Sequence, residues 1–214
     1  RASLGFGLVA LVRLLGAWGL VPDAVAQIYS AIAHLRACNA SRGETDGAGA
    51  MEDPSGHTPV AELARALVGL TAVIHTAGDI GHPAGVRLRA QINENSKRPA
   101  CLASYPELDH NELEGWSLSP AERGRFALII LTGPDPEPRM AQRIAVTRDL
   151  LAPEFAAVHE LVAGGDTDLA RIMDLVQYGD FLSCHLAAQT DVDAMPVDRI
   201  GSLKSALGSL PGHD

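Results

Sequence analysis

The clearest feature of the chain is an unbroken apolar run at Arg125–Thr132 (RFALIILT). Continuous rather than alternating hydrophobicity predicts a strand buried on both faces, as in parallel sheets. Thr71–Thr76 (TAVIHT), Pro99–Ser104 and Phe155–Leu161 predict three more strands. Between them the apolar spacing lengthens to that of helices. A Gly-rich turn (AGDIGHPAG) after the first strand leads into a helix ending near Asn95. Pro136–Leu151 predicts a helix with proline near its start, and Thr167–Gln189 a long helix after a Gly-Gly-Asp turn. Pro196 opens a last helix, which carries Lys204. Strand and helix alternate with connections long enough for right-handed crossovers. The expected fold is therefore α/β, a doubly wound parallel sheet flanked by helices, with extra helices at both ends.

Upstream of the first strand the pattern is helical. Arg1–Val21 is apolar enough to resemble a signal peptide or a membrane span, but Arg13 interrupts it, glycines recur, and no A-x-A cleavage site follows. A buried helix leading into a globular domain is expected. Asp23–Asn39 continues as helix, with Ile28, Ile32 and Leu35 at helical spacing. Ala40–Pro59, rich in Gly, acidic and small polar residues, reads as a mobile loop, and Val60–Leu70 as a short amphipathic helix.

Composition narrows the function classes. The 214 residues are 47% apolar, enough for one good core, and carry a net charge of -9. That charge argues against a nucleic-acid surface but not against a small phosphorylated substrate, which needs only a few local donors. Cys38, Cys101 and Cys184 are odd in number and lack CxxC spacing, so the pattern suggests neither a disulfide framework nor a zinc site. Three reduced core thiols in a cytoplasmic protein are expected. Lys97 and Lys204 are the only lysines among 17 basic residues. A lysine can give up a proton where a guanidinium cannot, although surface lysines would give the same count.

Gln91–Trp116 (QINENSKRPACLASYPELDHNELEGW) holds the densest set of proton-moving groups. Glu94 ends a helix among Asn93, Asn95 and Lys97, surroundings that suit a general base, or equally a solvated helix end. Asp109 can serve as N-cap and Glu112 as its capping-box partner, placing His110 in a first helical turn where the helix field favours neutral imidazole. An ordinary surface histidine is the plainer alternative. The turn after the first strand lies where open sheets bind ligands, but it matches neither dinucleotide nor phosphate-loop motifs. Gly78 and Gly81 are equally explained by tight backbone geometry. His75 and His82 have no carboxylate or cysteine at ligand spacing, so no metal is expected there. Lys204 shares a helical face with Ile200, which predicts a packed side with the amine reaching inward. Asp180 and Ser183 read as helix-packing groups, and Trp116, Tyr105 and Phe126 as core.

The segments Asn93-Glu94-Asn95-Ser96-Lys97, Pro106-Glu107-Leu108-Asp109-His110-Asn111-Glu112 and Pro196-Val197-x-x-Ile200-x-x-Leu203-Lys204 resemble the C-terminal half of the bifunctional phosphoglucose/phosphomannose isomerases, members of the sugar isomerase (SIS) domain superfamily. The resemblance implies a flavodoxin-like three-layer sandwich, with residues 1–58 as N-terminal helices and loop, and 59–214 as the SIS domain. It also implies a first SIS domain ahead of such a segment. By that likeness Glu94 is the base that moves a proton between C2 and C1 of a hexose phosphate, His110 assists ring opening, and Lys204 stands near the sugar ring. No cofactor or metal is implied. The partners implied are a hexose phosphate and a second copy of the chain that contributes His110, with no nucleic acid and no membrane. The setting would be glycolysis or gluconeogenesis in the cytoplasm. The resemblance places the family's Ser/Thr-rich phosphate loop in the first SIS domain. No such loop occurs in these residues, and the turn after the first strand carries Asp79, so either a preceding domain supplies that anchor or the chain no longer turns over sugar. A non-catalytic SIS module that binds a sugar phosphate therefore stands as the alternative reading.

Overall fold

A computed structural model describes residues 3–43 and 52–208. Four strands form one sheet: β1 (Thr71–Thr76), β2 (Ala100–Ser104), β3 (Phe126–Thr132) and β4 (Ala157–Val162). Their order is β2-β1-β3-β4 and every pairing is parallel, with Ile74 beside both Leu102 and Ile129. The expected α/β architecture is thus present. Strand β3 lies in the middle, and its side chains feed two cores. Ala127, Ile129 and Leu131 belong to one cluster, and Leu128 and Ile130 to the other. An apolar residue at every position is what such a strand requires.

The first core is covered by α3 (Val60–Ala66), α4 (Gly78–Asn95) and α7 (Asp168–Gln189), through Leu63, Leu88, Ile92, Leu175 and Leu182. The second is covered by a 3₁₀ turn at Glu107–His110, by α5 (Glu112–Gly115), and by α6 (Pro138–Leu151), through Leu108, Leu113, Ile144 and Leu151. Tyr105 is buried in this second core, and Trp116 and Phe126 pack against it at its rim, 5.2 Å apart between ring centroids.

The stretch after β1 is helix rather than an extended turn, since α4 begins at Gly78. Gly78 does take a left-handed φ of +67°. Gly81 answers a different need: a Cβ there would run into the carbonyl of Leu131, so glycine lets α4 lie close on the sheet. Helix α4 is then locked to α7 by polar contacts. Asp180 accepts from Arg87 (Nε 2.8 Å, Nη2 2.7 Å) and Gln91 (2.9 Å), while Asn95 donates to Ser183 Oγ (2.8 Å). Asp180 and Ser183 therefore join helices as the pattern predicted.

Two expectations need correction. The N-terminal segment is helical as α1 (Leu4–Ala17), but it buries no residue in this chain. It packs against α2 (Ala24–Gly43), and among the described residues nothing covers its other sides, leaving Phe6 84% and Leu11 52% exposed. Nor are all three thiols in the core: Cys38 is buried, whereas Cys101 and Cys184 are exposed. Helix α2 runs on through Gly43, past the expected loop start; the centre of that loop, 44–51, lies outside the described residues. No helix of the described residues is long and apolar enough to cross a membrane.

Candidate functional site

Glu94 stands on the last turn of α4, at the amino-terminal ends of the strands. The end of this helix is fixed from inside: Asn95 bonds Ser183, Ser96 Oγ donates to the Ser183 carbonyl (2.8 Å), and Ile92 is buried in the first core. Alternate positions consequently face outward, and Glu94 opens onto a cleft of about 720 Å³. The cleft is lined by Asn93, Glu94, Lys97, Arg98, Pro99 and Ala100 on one side and by Pro196–Ile200 on the other. Such a volume falls within the range of small-molecule sites. Both signs of charge are present: Glu94 and Asp198 stand against Arg98 and Arg199. The Arg98 Nε is buried without a hydrogen-bond partner among the described residues.

Lys97 shapes this cleft. Its backbone takes a left-handed φ of +55°, and its ammonium donates to three carbonyls, those of Glu94 (2.6 Å), Pro196 (2.6 Å) and Ala194 (3.3 Å). Lysine suits the task, since its three donors converge on acceptors in a way a planar guanidinium does not. The segment preceding α8 (Asp198–Gly208) is thereby pinned to the end of α4.

The other two expected residues are placed differently. His110 ends the 3₁₀ turn and is exposed. Asp109 does not cap a helix; it accepts from Arg143 (2.7 Å) and Thr147 (2.9 Å) and so ties the turn to α6. The following helix starts at Glu112, with Asn111 as its N-cap and no side-chain cap bond, so His110 precedes the helix instead of sitting in its first turn. The turn packs through Leu108 on the second core, across the sheet from α4, and His110 does not line the Glu94 cleft. Lys204 is exposed on α8, which buries no residue in this chain, so its amine does not reach into a packed interior. Ile200, on the same helical face one turn earlier, does line the cleft.

At the opposite end of the sheet His82, Ser104 and Thr76 converge, with His82 Nδ1 at 2.8 Å and Thr76 Oγ1 at 2.9 Å from Ser104 Oγ. Ligands of open sheets bind at such carboxyl ends, but Asp79 occupies the first turn of α4 there and disfavours a phosphate.

The composition gave no hint of a buried ionic network beneath α2. Arg42, wholly buried, donates to Asp53 through Nε (2.7 Å) and Nη2 (3.2 Å) and to Asp174 through Nη2 (2.5 Å). Asp174, also wholly buried, further accepts from His57 (2.9 Å), His34 (2.7 Å), Ser55 (2.7 Å) and the Gly164 N–H (2.8 Å). Burial alone would raise this carboxyl. The His57 bond, the Arg42 charge, the Gly164 N–H and the His34 bond outweigh it and hold Asp174 well below the usual carboxylate range.

Known proteins bear on this geometry. Residues 57–207 match the family model for the bacterial phospho-glucose isomerase C-terminal SIS domain. The chain is 28% identical over 213 residues to a bifunctional phosphoglucose/phosphomannose isomerase of Caldicellulosiruptor bescii, covering 98% of this chain and 60% of that protein. It is 34% identical over 147 residues to a protein of the same name from Aquifex aeolicus, covering 68% of this chain and 45% of that one. The chain thus spans about half to three fifths of the length of these relatives. Among solved structures, a glucose-6-phosphate isomerase like protein from Thermus thermophilus superposes with a TM-score of 0.60 at 18% identity, covering 91% of this chain and 60% of that one. The structural likeness supports the fold.

Proposed function

The chain belongs to the bacterial phospho-glucose isomerase C-terminal SIS domain family, and from that premise we propose that it carries the catalytic base of an aldose–ketose isomerase acting on hexose 6-phosphates. The observation that supports this most is Glu94, on a rigidly held helix end, facing a cleft of about 720 Å³ lined by two arginines.

The reaction opens the sugar ring and moves a proton between C2 and C1 through a cis-enediol(ate). A single carboxylate on one face of the open chain can take the C2 proton and return it to C1. Glu94 is assigned that shuttle. Negative charge grows on the C1 and C2 oxygens as the C2 proton leaves, and fixed donors stabilise it without reorganising. Asn93, Arg98 and Arg199 line the same cleft and are the donors available on this chain. His110 is assigned proton transfer between the ring oxygen and the C1 hydroxyl, and Lys204 a contact to the sugar ring. Glucose and mannose 6-phosphates differ at C2, so acceptance of both requires Glu94 to reach either hydrogen.

His110 and Glu94 are separated by the sheet of one chain, so this assignment requires a second copy to supply His110 to the cleft. The proposed active unit is therefore a homodimer. Glu94→Gln in the full-length protein tests the base. It should lower fructose 6-phosphate turnover by at least about 10² while leaving binding largely intact. Unchanged turnover removes Glu94 from the mechanism.

A second reading, a sugar-phosphate-binding module without catalysis, is favoured by Asp79 at the carboxyl edge and by the commitment of Lys97 to backbone carbonyls. Binding of fructose 6-phosphate by the wild-type protein with no isomerisation would select it.

A further inference from the structure

Away from the Glu94 cleft, four donor atoms from three separate stretches meet beneath α2. His34 and Cys38 lie one turn apart on the helix, Ser55 lies in the segment leading to α3, and Asp174 comes from α7. His34 Nε2 is 3.8 Å from Cys38 Sγ and 3.2 Å from Ser55 Oγ, and Cys38 Sγ is 3.4 Å from Ser55 Oγ. Asp174 Oδ1 is 2.7 Å from both His34 Nε2 and Ser55 Oγ. The His34, Cys38 and Asp174 atoms all lie within 4.8 Å of one another.

We propose that His34, Cys38 and Asp174, with the Ser55 hydroxyl as a weaker fourth donor, form a binding site for a thiophilic divalent ion such as Zn²⁺.

Ordinary tetrahedral bond lengths separate zinc donors by roughly 3.4–3.6 Å. The three separations among His34, Cys38 and Ser55 already lie within a few tenths of an ångström of this. The two short ones are hydrogen bonds to Asp174, which must open by about 0.7 Å when an ion replaces the protons held there. Rotation of the Asp174 carboxylate is steadied from behind by His57 and the Gly164 N–H on Oδ2, the outer-shell support that metal-bound carboxylates use. Arg42 is the objection, since its Nη2 donates to the same Asp174 Oδ1 (2.5 Å) and to Ser55 Oγ (3.0 Å). Each of these oxygens has a second lone pair for the ion, and Asp53 takes two further Arg42 bonds and pairs its charge. A divalent ion held by the Asp174 carboxylate and the Cys38 thiolate then leaves the pocket neutral. On binding, the Sγ–metal bond forms as the thiol proton leaves to solvent, and His34 Nε2 gives up through solvent the proton it had donated to Asp174, so that the neutral ring carries its proton on Nδ1 instead. His34 is 17% exposed at the rim and gives the ion a way in. With four protein donors the site is closed, so its role is structural: it braces α2 and the 52–58 segment against α7.

The test uses the whole protein, stripped with a chelator and titrated with Zn²⁺ and then Co²⁺. A single ion per chain is expected, with a thiolate-to-cobalt charge-transfer band and a raised Tm. Cys38→Ser should abolish the band and weaken binding by more than about a hundredfold, beyond the loss typical of an outer-shell partner. Cys184→Ser should change neither. X-ray absorption at the zinc edge of the wild-type protein gives an answer that needs no variant, with one sulfur among nitrogen and oxygen neighbours expected. No stoichiometric binding, a band that persists in Cys38→Ser, or a shell without sulfur overturns the proposal.

Discussion

Glu94 and His110 lie on opposite sides of the sheet: Glu94 leaves the helix that covers the first core, whereas His110 leaves the turn that covers the second. The edge strand β2 runs between them. A single chain therefore holds the two groups apart, and this separation governs what the proposed chemistry demands of a second copy.

Lys97 is predicted to act on the cleft through position rather than proton transfer. Lys97→Met removes three charge-assisted bonds to carbonyls, and each such bond is worth about 1.5–3 kcal/mol at most when shielded from solvent. Because these bonds are exposed, the expected loss is smaller and local. Hydrogen exchange at 194–208 should quicken and KM should rise more than kcat falls. A selective collapse of kcat would instead give Lys97 a chemical role.

Asp174 is predicted to be among the costliest side chains to remove. Asp174→Ala leaves Arg42 and two imidazoles without their common acceptor, and breaking a buried pair in this way typically costs roughly 3–5 kcal/mol. Against a usual total of about 5–15 kcal/mol, this should appear as a large drop in the denaturant midpoint. Asp168→Ala, at an exposed position, should stay within about 0.5 kcal/mol.

His75 sets a pH dependence of stability. It is wholly buried in β1 against Tyr105, and burial pushes its imidazole down to about 4, from an ordinary 6.5. The unfolded chain thus takes up a proton near 6.5 that the native state refuses until about 4. Stability from this residue is complete above the unfolded value and declines as pH falls between the two, by up to roughly 3 kcal/mol. His75→Leu should flatten that part of the stability–pH curve, as read by urea unfolding from pH 7 down to pH 4. An unchanged slope would place the effect elsewhere.

Much of the fold was legible because its strands are apolar runs of different lengths bounded by turns, and β1 matched the reading residue for residue. Glu94 was legible as a helix end among amides, and the structure sets it on a cleft. Other features were hidden for physical reasons. Asp109 has the spacing of a cap, but Arg143 and Thr147, distant in sequence, compete for its carboxylate and win. Ile200 and Lys204 share a helical face, yet periodicity states only that a face exists, not that the same chain covers it. The same limit applies to α1, whose hydrophobicity promised burial although Phe6, Val9, Leu11 and Leu14 are exposed. The Arg42–Asp53–Asp174 network escaped notice because its members come from separate stretches, one of them within a loop-like composition.

The shared-site reading is tested most directly by complementation. Glu94→Gln and His110→Ala are each expected to lose isomerase activity as pure full-length proteins. After co-refolding in equal amounts, about half of the random dimers are mixed, and each of these holds one intact Glu94–His110 pair of two, which should restore roughly a quarter of wild-type activity. A mixture as inactive as its parents, from variants shown to form mixed dimers, would contradict a site built from Glu94 of one copy and His110 of the other.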